Sequence, residues 1–160
     1  MGLRKIRTVG DPVLGEVCKE VKDVNLRTKL LIGDMLDTMY DANGVGLAAP
    51  QVGVLKRICV VDVSPEGDEP IVLINPVLLE SSGEQTGSEG CLSIPGKCGE
   101  VTRPNYVKVK AFDENMQERI LEGEGLKARA FLHEMDHLDG HLYSEKVEGP
   151  LQDVTVEDEE

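Results

Sequence analysis

Two histidines four residues apart, with a glutamate directly after the first, form the most constraining feature of this sequence. They are His133-Glu134-Met135-Asp136-His137, inside the stretch FLHEMDHLDGHLY. Residues four apart lie on one face of an α-helix, so both imidazoles can reach a single metal ion. Glu134 then sets a carboxylate beside the metal, where water would be activated. The fold must therefore supply a helix here. The composition from Leu126 to about Leu138 is helical, with Gly125 before it and Gly140 after it. Only three histidines occur in the chain, and two of them, His133 and His137, fall in this spacing with the glutamate.

The remaining segments predict what surrounds that helix. Between Asn25 and Asn43 the apolar residues Leu31, Met35, Leu36, Met39 and Tyr40 recur at helical spacing, with Asn25 as N-cap and Asn43-Gly44 as the stop. GVGLAAPQVG, which follows, has three glycines and no amphipathic period. RICVVDV (57–63) and PIVLINP (70–76) are short, β-branched and bounded by turn residues, as buried strands are. NYVKVKAFD alternates Val107, Val109 and Ala111 with Lys108 and Lys110, a half-exposed strand. Asp113-Glu114-Asn115 then turns the chain into ERILEGEG, its hairpin partner. Strands come in runs between a few helices and do not alternate as βαβ, so the expected class is α+β with antiparallel sheets around the metal-binding helix. No repeat, linker or break in composition divides the chain. One domain is expected over residues 1–147, followed by an acidic tail at 148–160 whose VEDEE end is a solvated terminus.

A catalytic metal needs a third protein ligand and an open position. In the metzincin pattern HExxHxxGxxH the third ligand is a histidine three residues after the glycine, but here that residue is Tyr143. His141 falls one residue after Gly140, at the wrong place. The chain after Tyr143 is too short and polar to form a helix carrying a ligand glutamate. The search moves upstream to Cys91 in SEGCLSIPG, a stretch rich in turn residues where Gly90 permits close backbone approach. Its thiolate and two imidazoles would leave one position open. Cys98 is a weaker candidate, and Cys18 and Cys59 are read as non-ligands.

Composition excludes several other classes. The net charge is −13, and the acidic chain shows no basic stripe with interleaved aromatics, so direct nucleic-acid binding is not expected. No run approaches the roughly 18 apolar residues of a membrane span. The N-terminus lacks the apolar core of a secretory signal. Four cysteines without a CxxC pair suit a reducing cytoplasm.

Taken together, three separated segments resemble the peptide deformylases. Gly44 to Gln51 is similar to the family's GxGLAAPQ motif, Glu89 to Ser93 to EGCLS, and His133 to His137 to HExDH; IRTVGDPVL resembles family N-termini. The likeness runs to about Val147. It implies a metal-dependent hydrolase that removes the N-terminal formyl group from formyl-methionyl nascent polypeptides and releases formate. It implies one divalent ion per chain, held by Cys91, His133 and His137: Fe2+ first, with Zn2+ or Ni2+ possible. Water would be activated by the metal and Glu134, while the Gln51 amide and the Leu92 N–H stabilise the oxyanion. The partners implied are formylated peptides emerging from the ribosome. Val45, Gly46, Leu126, Arg129 and Ala130 are the expected substrate-binding residues, with Gly46 offering backbone hydrogen bonds and Arg129 an alkyl stem whose head reaches water. Two departures stand out. Leu132 replaces the glutamine frequent before the first metal histidine, and the acidic end lacks the basic extension some members use to dock on the ribosome. An endopeptidase acting through HExxH and a non-catalytic metal-binding module are the rival readings. Tyr143 disfavours the first. Gln51 and Glu134, neither needed merely to hold metal, disfavour the second.

Overall fold

Asn25 opens the first long helix as its spacing requires. In the computed structural model of the chain, which describes residues 2–153, the Asn25 carboxamide oxygen accepts the Thr28 N–H at 2.9 Å and caps α1 (Leu26–Asp41). Asn43 takes a left-handed φ of 56° beyond its end, and the Gly44 N–H returns to the Met39 carbonyl. Leu31, Ile32, Met35 and Met39 form its buried stripe. The glycine-rich segment after it makes β1 (Gly46–Ala48) and a 3₁₀ turn, Ala49–Val52.

The larger sheet has the order β1-β2-β3-β6-β7, every pair antiparallel, with β2 at Ile58–Val61, β3 at Ile71–Ser82, β6 at Tyr106–Phe112 and β7 at Glu118–Glu124. All four residues of β2 are buried because both faces are covered. Cys59 and Val61 pack with Phe131 and Leu138, whereas Ile58 and Val60 pack with Met35 and Met39 of α1. That two-sided burial explains a continuous apolar run where a one-sided sheet would show alternation. β3 extends beyond the expected Pro76. A register shift between Ile74 and Val77, with Asn75 at φ 51°, absorbs the proline, which cannot donate to the ladder. The expected hairpin of β6 and β7 pairs Tyr106 with Glu124 and Phe112 with Glu118.

A second sheet was not legible as strands. β4 (Gln85–Cys91) and β5 (Ile94–Arg103) form a hairpin, with β8 (Gln152–Asp153) on the outer edge of β5. Cys91, expected in a loop, is the last residue of β4 and pairs with Ile94 across the Leu92-Ser93 turn. The glycines here serve close packing. A Cβ on Gly99 would stand 2.6 Å from Val147. The sequence from Leu126 to Leu138 forms α2, as expected, packed on β1, β2 and β7. The acidic tail begins with residues 148–153, which return along β5, whereas the VEDEE terminus lies outside the described residues. The whole is a mixed α/β fold with antiparallel sheets.

Candidate metal and active site

Three elements meet at one point. α2 brings His133, Glu134 and His137, all buried. The β4–β5 hairpin brings Glu89, Cys91 and Leu92, and the turn after β1 brings Gln51. The Cys91 Sγ and the ring nitrogens of His133 and His137 lie within 4.8 Å of one another, with Sγ 3.3 Å from His137 Nε2. Cys98, Cys18 and Cys59 are free and outside this cluster. His141 is exposed and faces Glu145 at 3.3 Å.

Glu89, next to the glycine before Cys91, organises the site from behind. Its Oε1 lies 2.8 Å from His133 Nδ1, and its two oxygens receive Arg103 at 2.5 and 2.9 Å and Arg129 at 2.7 Å. Arg103 also donates to Asp136 at 3.0 Å. Burial alone would raise the Glu89 pKa, but the bonds from His133 and Arg103 outweigh it and hold the carboxyl down at about 2. An ionised Glu89 binds the Nδ1 proton of His133 and leaves Nε2 for a ligand. Burial opposes charge on His133, yet contacts with Cys91 and Glu89 push it up to about 10, so an incoming metal ion displaces a proton there. His137 is driven down to about 3 by burial and by His133, and its ring is a neutral lone-pair donor.

The same cavity, about 800 Å³, carries the other chemistry. Burial lifts the Glu134 carboxyl to about 7, and its Oε1 has no hydrogen-bond partner among the described residues. An orphaned carboxylate oxygen beside a thiol and two imidazoles fits a site that takes a hydrated divalent metal. The donor set, one soft sulfur and two imidazoles with a carboxylate held back, suits a catalytic transition metal. Gln51 is fixed by the Ala48 N–H, which donates to its Oε1 at 2.9 Å; its Nε2 reaches Ser93 Oγ at 3.0 Å and Cys91 Sγ at 3.5 Å.

Every expected substrate-binding residue lines this cavity: Val45, Gly46, Leu126, Arg129 and Ala130. Leu92 lines it too, at the hairpin turn. Gly46 has a further reason to be glycine, because a Cβ there would stand 2.5 Å from the Glu134 carboxylate. One expectation about Arg129 is corrected. Its guanidinium does not reach water but is buried on Glu89 and the Val101 carbonyl at 3.1 Å, since an ionised Glu89 needs a second counter-charge. Leu132, itself on α2, is partly buried and packs against the core. Glu89, Arg103 and Asp136 were not singled out by sequence, although Glu89 and Asp136 stand inside the motifs. Tyr143 occupies the place where a metzincin would carry histidine, and its buried ring stacks on His133 at 5.8 Å.

Fold and site define a class: a mixed α/β fold with antiparallel sheets in which a helix carrying HExxH and a β-hairpin bring Cys91, His133 and His137 close enough to hold a metal ion. Within that class the chain belongs to the polypeptide deformylase family, whose profile matches residues 3–152. It is 66% identical over 158 residues to the peptide deformylase of Agathobacter rectalis, covering 99% of this chain and 98% of that one. A solved peptide deformylase from Legionella pneumophila superimposes with a TM-score of 0.89 at 44% identity, over 92% of this chain and 87% of that chain. The deformylase of Synechococcus elongatus, solved in complex with actinonin, gives 0.85 at 43% identity, over 90% and 78%.

Proposed function

We propose that the protein removes the N-terminal formyl group from formyl-methionyl nascent polypeptides and releases formate. The observation that carries this is the meeting, in one cavity, of Cys91, His133, the orphaned Glu134 carboxylate and the Gln51 amide, with the His137 donor within 4.8 Å of those of Cys91 and His133. Cys91, His133 and His137 hold one divalent ion, Fe2+ in preference to Zn2+ or Ni2+. When bound, the ion supplies the Lewis acid that acidifies water and polarises the formyl oxygen.

The chain's own residues do the rest. Glu134 takes a proton from the attacking water and returns it to the leaving amine. Gln51 Nε2 and the Leu92 N–H donate to the oxyanion, and Glu89 keeps the His133 tautomer fixed. Gly46 offers backbone hydrogen bonds to an extended peptide, and Val45, Leu126, Ala130 and the Arg129 stem form the wall facing the methionine side chain. Residues 1–147 constitute the catalytic domain and 148–160 an acidic tail. No helix among the described residues is long and apolar enough to cross a membrane, and we place the activity in the cytoplasm, on peptides leaving the ribosome.

The test is anaerobic purification, metal quantification, and assay of formate release from formyl-Met-Ala-Ser beside cleavage of an unformylated peptide. Formate release that vanishes in Glu134→Gln while metal stays bound supports the mechanism. A metal-loaded protein that releases no formate overturns it.

A further inference from the structure

The segment IRTVGDPVL, Ile6 to Leu14, supplies neither a metal donor nor a residue of the cavity wall. Its backbone nevertheless runs along the site. The Arg7 N–H donates to the Gln51 carbonyl at 2.6 Å, and the Val9 N–H donates to the Ser93 carbonyl at 2.8 Å. Arg7, Thr8 and Val9 are themselves exposed, Val9 at 57%. With so little apolar surface buried, their contribution lies in the main chain.

Both acceptors belong to elements that carry the oxyanion donors. Gln51 stands in the 3₁₀ turn Ala49–Val52, where the Ala49 and Pro50 carbonyls are taken by Val54 and Gly53 and the Gln51 carbonyl by Arg7. Ser93 follows Leu92 in the turn between β4 and β5. It is fully buried and joins three groups: its Oγ accepts Gln51 Nε2 at 3.0 Å, its N–H faces Cys91 Sγ at 3.4 Å, and its carbonyl accepts Val9. Two N–H groups, two residues apart on one chain, thus grip the Gln51 turn and the Leu92-Ser93 turn together.

The gripping segment is anchored at both ends. The Arg4 N–H donates to Thr38 Oγ1 and its guanidinium to Asp34, each at 2.9 Å, which ties the near end to α1. At the far end Leu14 is buried, and the Cys18 N–H donates to the Leu138 carbonyl of α2 at 2.8 Å. A Cβ on Gly140 would stand 2.6 Å from the Gly15 carbonyl oxygen, so the chain is pressed against the end of α2. The segment therefore refers the two turns to the helix that carries His133, Glu134 and His137.

Resting on the deformylase reading, we propose that Arg7 and Val9 are positioning residues whose N–H groups set the spacing of the two turns, so that the Gln51 amide and the Leu92 N–H converge on one oxyanion. Such donors act only within a narrow range of distance. A displacement of about 1 Å costs on the order of 100-fold in rate.

Each N–H can be deleted without altering a side chain. A synthetic 1–17 segment with a backbone ester in place of the amide N–H at position 7, 9 or both is ligated to a chain beginning at Cys18. The all-amide ligation product is the reference. Metal content, Tm, and kcat and KM for formyl-Met-Ala-Ser are measured on the metal-loaded full-length proteins. Either ester should lower kcat about tenfold and the two together about 100-fold. KM should change by less than about twofold, as for a contact that acts in the transition state, with metal content unchanged. The effect of the ester at position 7 should disappear in Gln51→Ala, where the donor it positions is gone, whereas a merely structural bond would cost the same in both backgrounds. An unchanged kcat per metal-loaded molecule, whatever the Tm, overturns the inference. So does a loss of kcat matched by a loss of metal, or a position 7 effect that persists in Gln51→Ala. These results would leave deformylation by the all-amide protein standing. Absence of formate from the all-amide protein would overturn the underlying functional reading, and this inference with it.

Discussion

Replacing Glu89 by glutamine tests the architecture behind the metal donors. The carboxylate faces Arg103, Arg129 and His133 at once, and Asp136 adds a second negative charge at 3.0 Å from Arg103. Glutamine keeps the shape but removes the charge that Arg103, Arg129 and His133 share in a buried cluster. Removing one partner of a buried ion pair costs about 3–5 kcal/mol. Asp136 still meets Arg103, and the Val101 carbonyl still meets Arg129, so the lower figure of about 3 kcal/mol applies. For a chain of this size that corresponds to a fall in Tm of about 6–12 °C. His133 also exchanges a carboxylate acceptor on Nδ1 for a neutral amide oxygen, which lowers metal affinity by about 10–100-fold. Because Glu89 is held at about 2 when folded, against 4.5 as its ordinary value, its contribution is present above about pH 4.5 and is lost as pH falls toward 2. Calorimetry of apo and metal-loaded protein between pH 3 and 7, with chelator competition for affinity, reads all three effects. A Tm lowered by less than about 2 °C with unchanged metal affinity would refute the reasoning.

Other substitutions isolate single contacts. Gly46→Ala drives a methyl into the Glu134 carboxylate at 2.5 Å; steady-state kinetics should show kcat reduced about 100-fold, in keeping with a displaced catalytic base, with metal content unchanged. Glu134 is lifted to about 7 by burial, so kcat/KM should fall on the acid side with a midpoint at or below about 7, since a bound cation favours the ionised form. In metal-free protein the same raised pKa means that stability decreases as pH rises from about 4.5 to about 7, and Glu134→Gln should abolish that dependence in denaturant titrations. Cys91→Ala should weaken metal binding and abolish formate release, and stripping the wild type with a chelator should lower its Tm by an amount that depends on the metal concentration restored; undiminished affinity in the variant would remove Cys91 from the donor set.

Elements whose burial follows a simple period were legible from sequence. α1 displays an apolar stripe and a capping asparagine, and β6 alternates valine with lysine because one face is covered. The β4–β5 hairpin escaped because the residues it buries include Glu89 and Arg103 alongside Val101. A polar interior shows no hydrophobic alternation, and its glycines imitate a loop while they make room for Val147 and the Arg129 guanidinium. The extension of β3 was hidden for a different reason: Pro76 reads as a strand end until Asn75 is seen to bend the strand around it, with its carboxamide bonded to both backbone groups of Val21 at 2.8 Å.

The site itself was legible where chemistry restricts residue type and illegible where it depends on a neighbour's charge. A cysteine, two histidines and a glutamate announce themselves, because few side chains bind a transition metal or shuttle a proton. Arg129 does not. By helical spacing it belongs to the face of His133, and an isolated arginine there would extend its head to water. Glu89 reverses that outcome, since one carboxylate ionised in the interior needs more than one counter-charge, and Arg103 and Arg129 approach it from different elements. The guanidinium is therefore spent inward, and the cavity is left with Lys97 as a cation whose only partner among the described residues is a solvent-exposed aspartate. Burial of one positive charge against Glu89 thus leaves the other half-exposed and paired with Asp153.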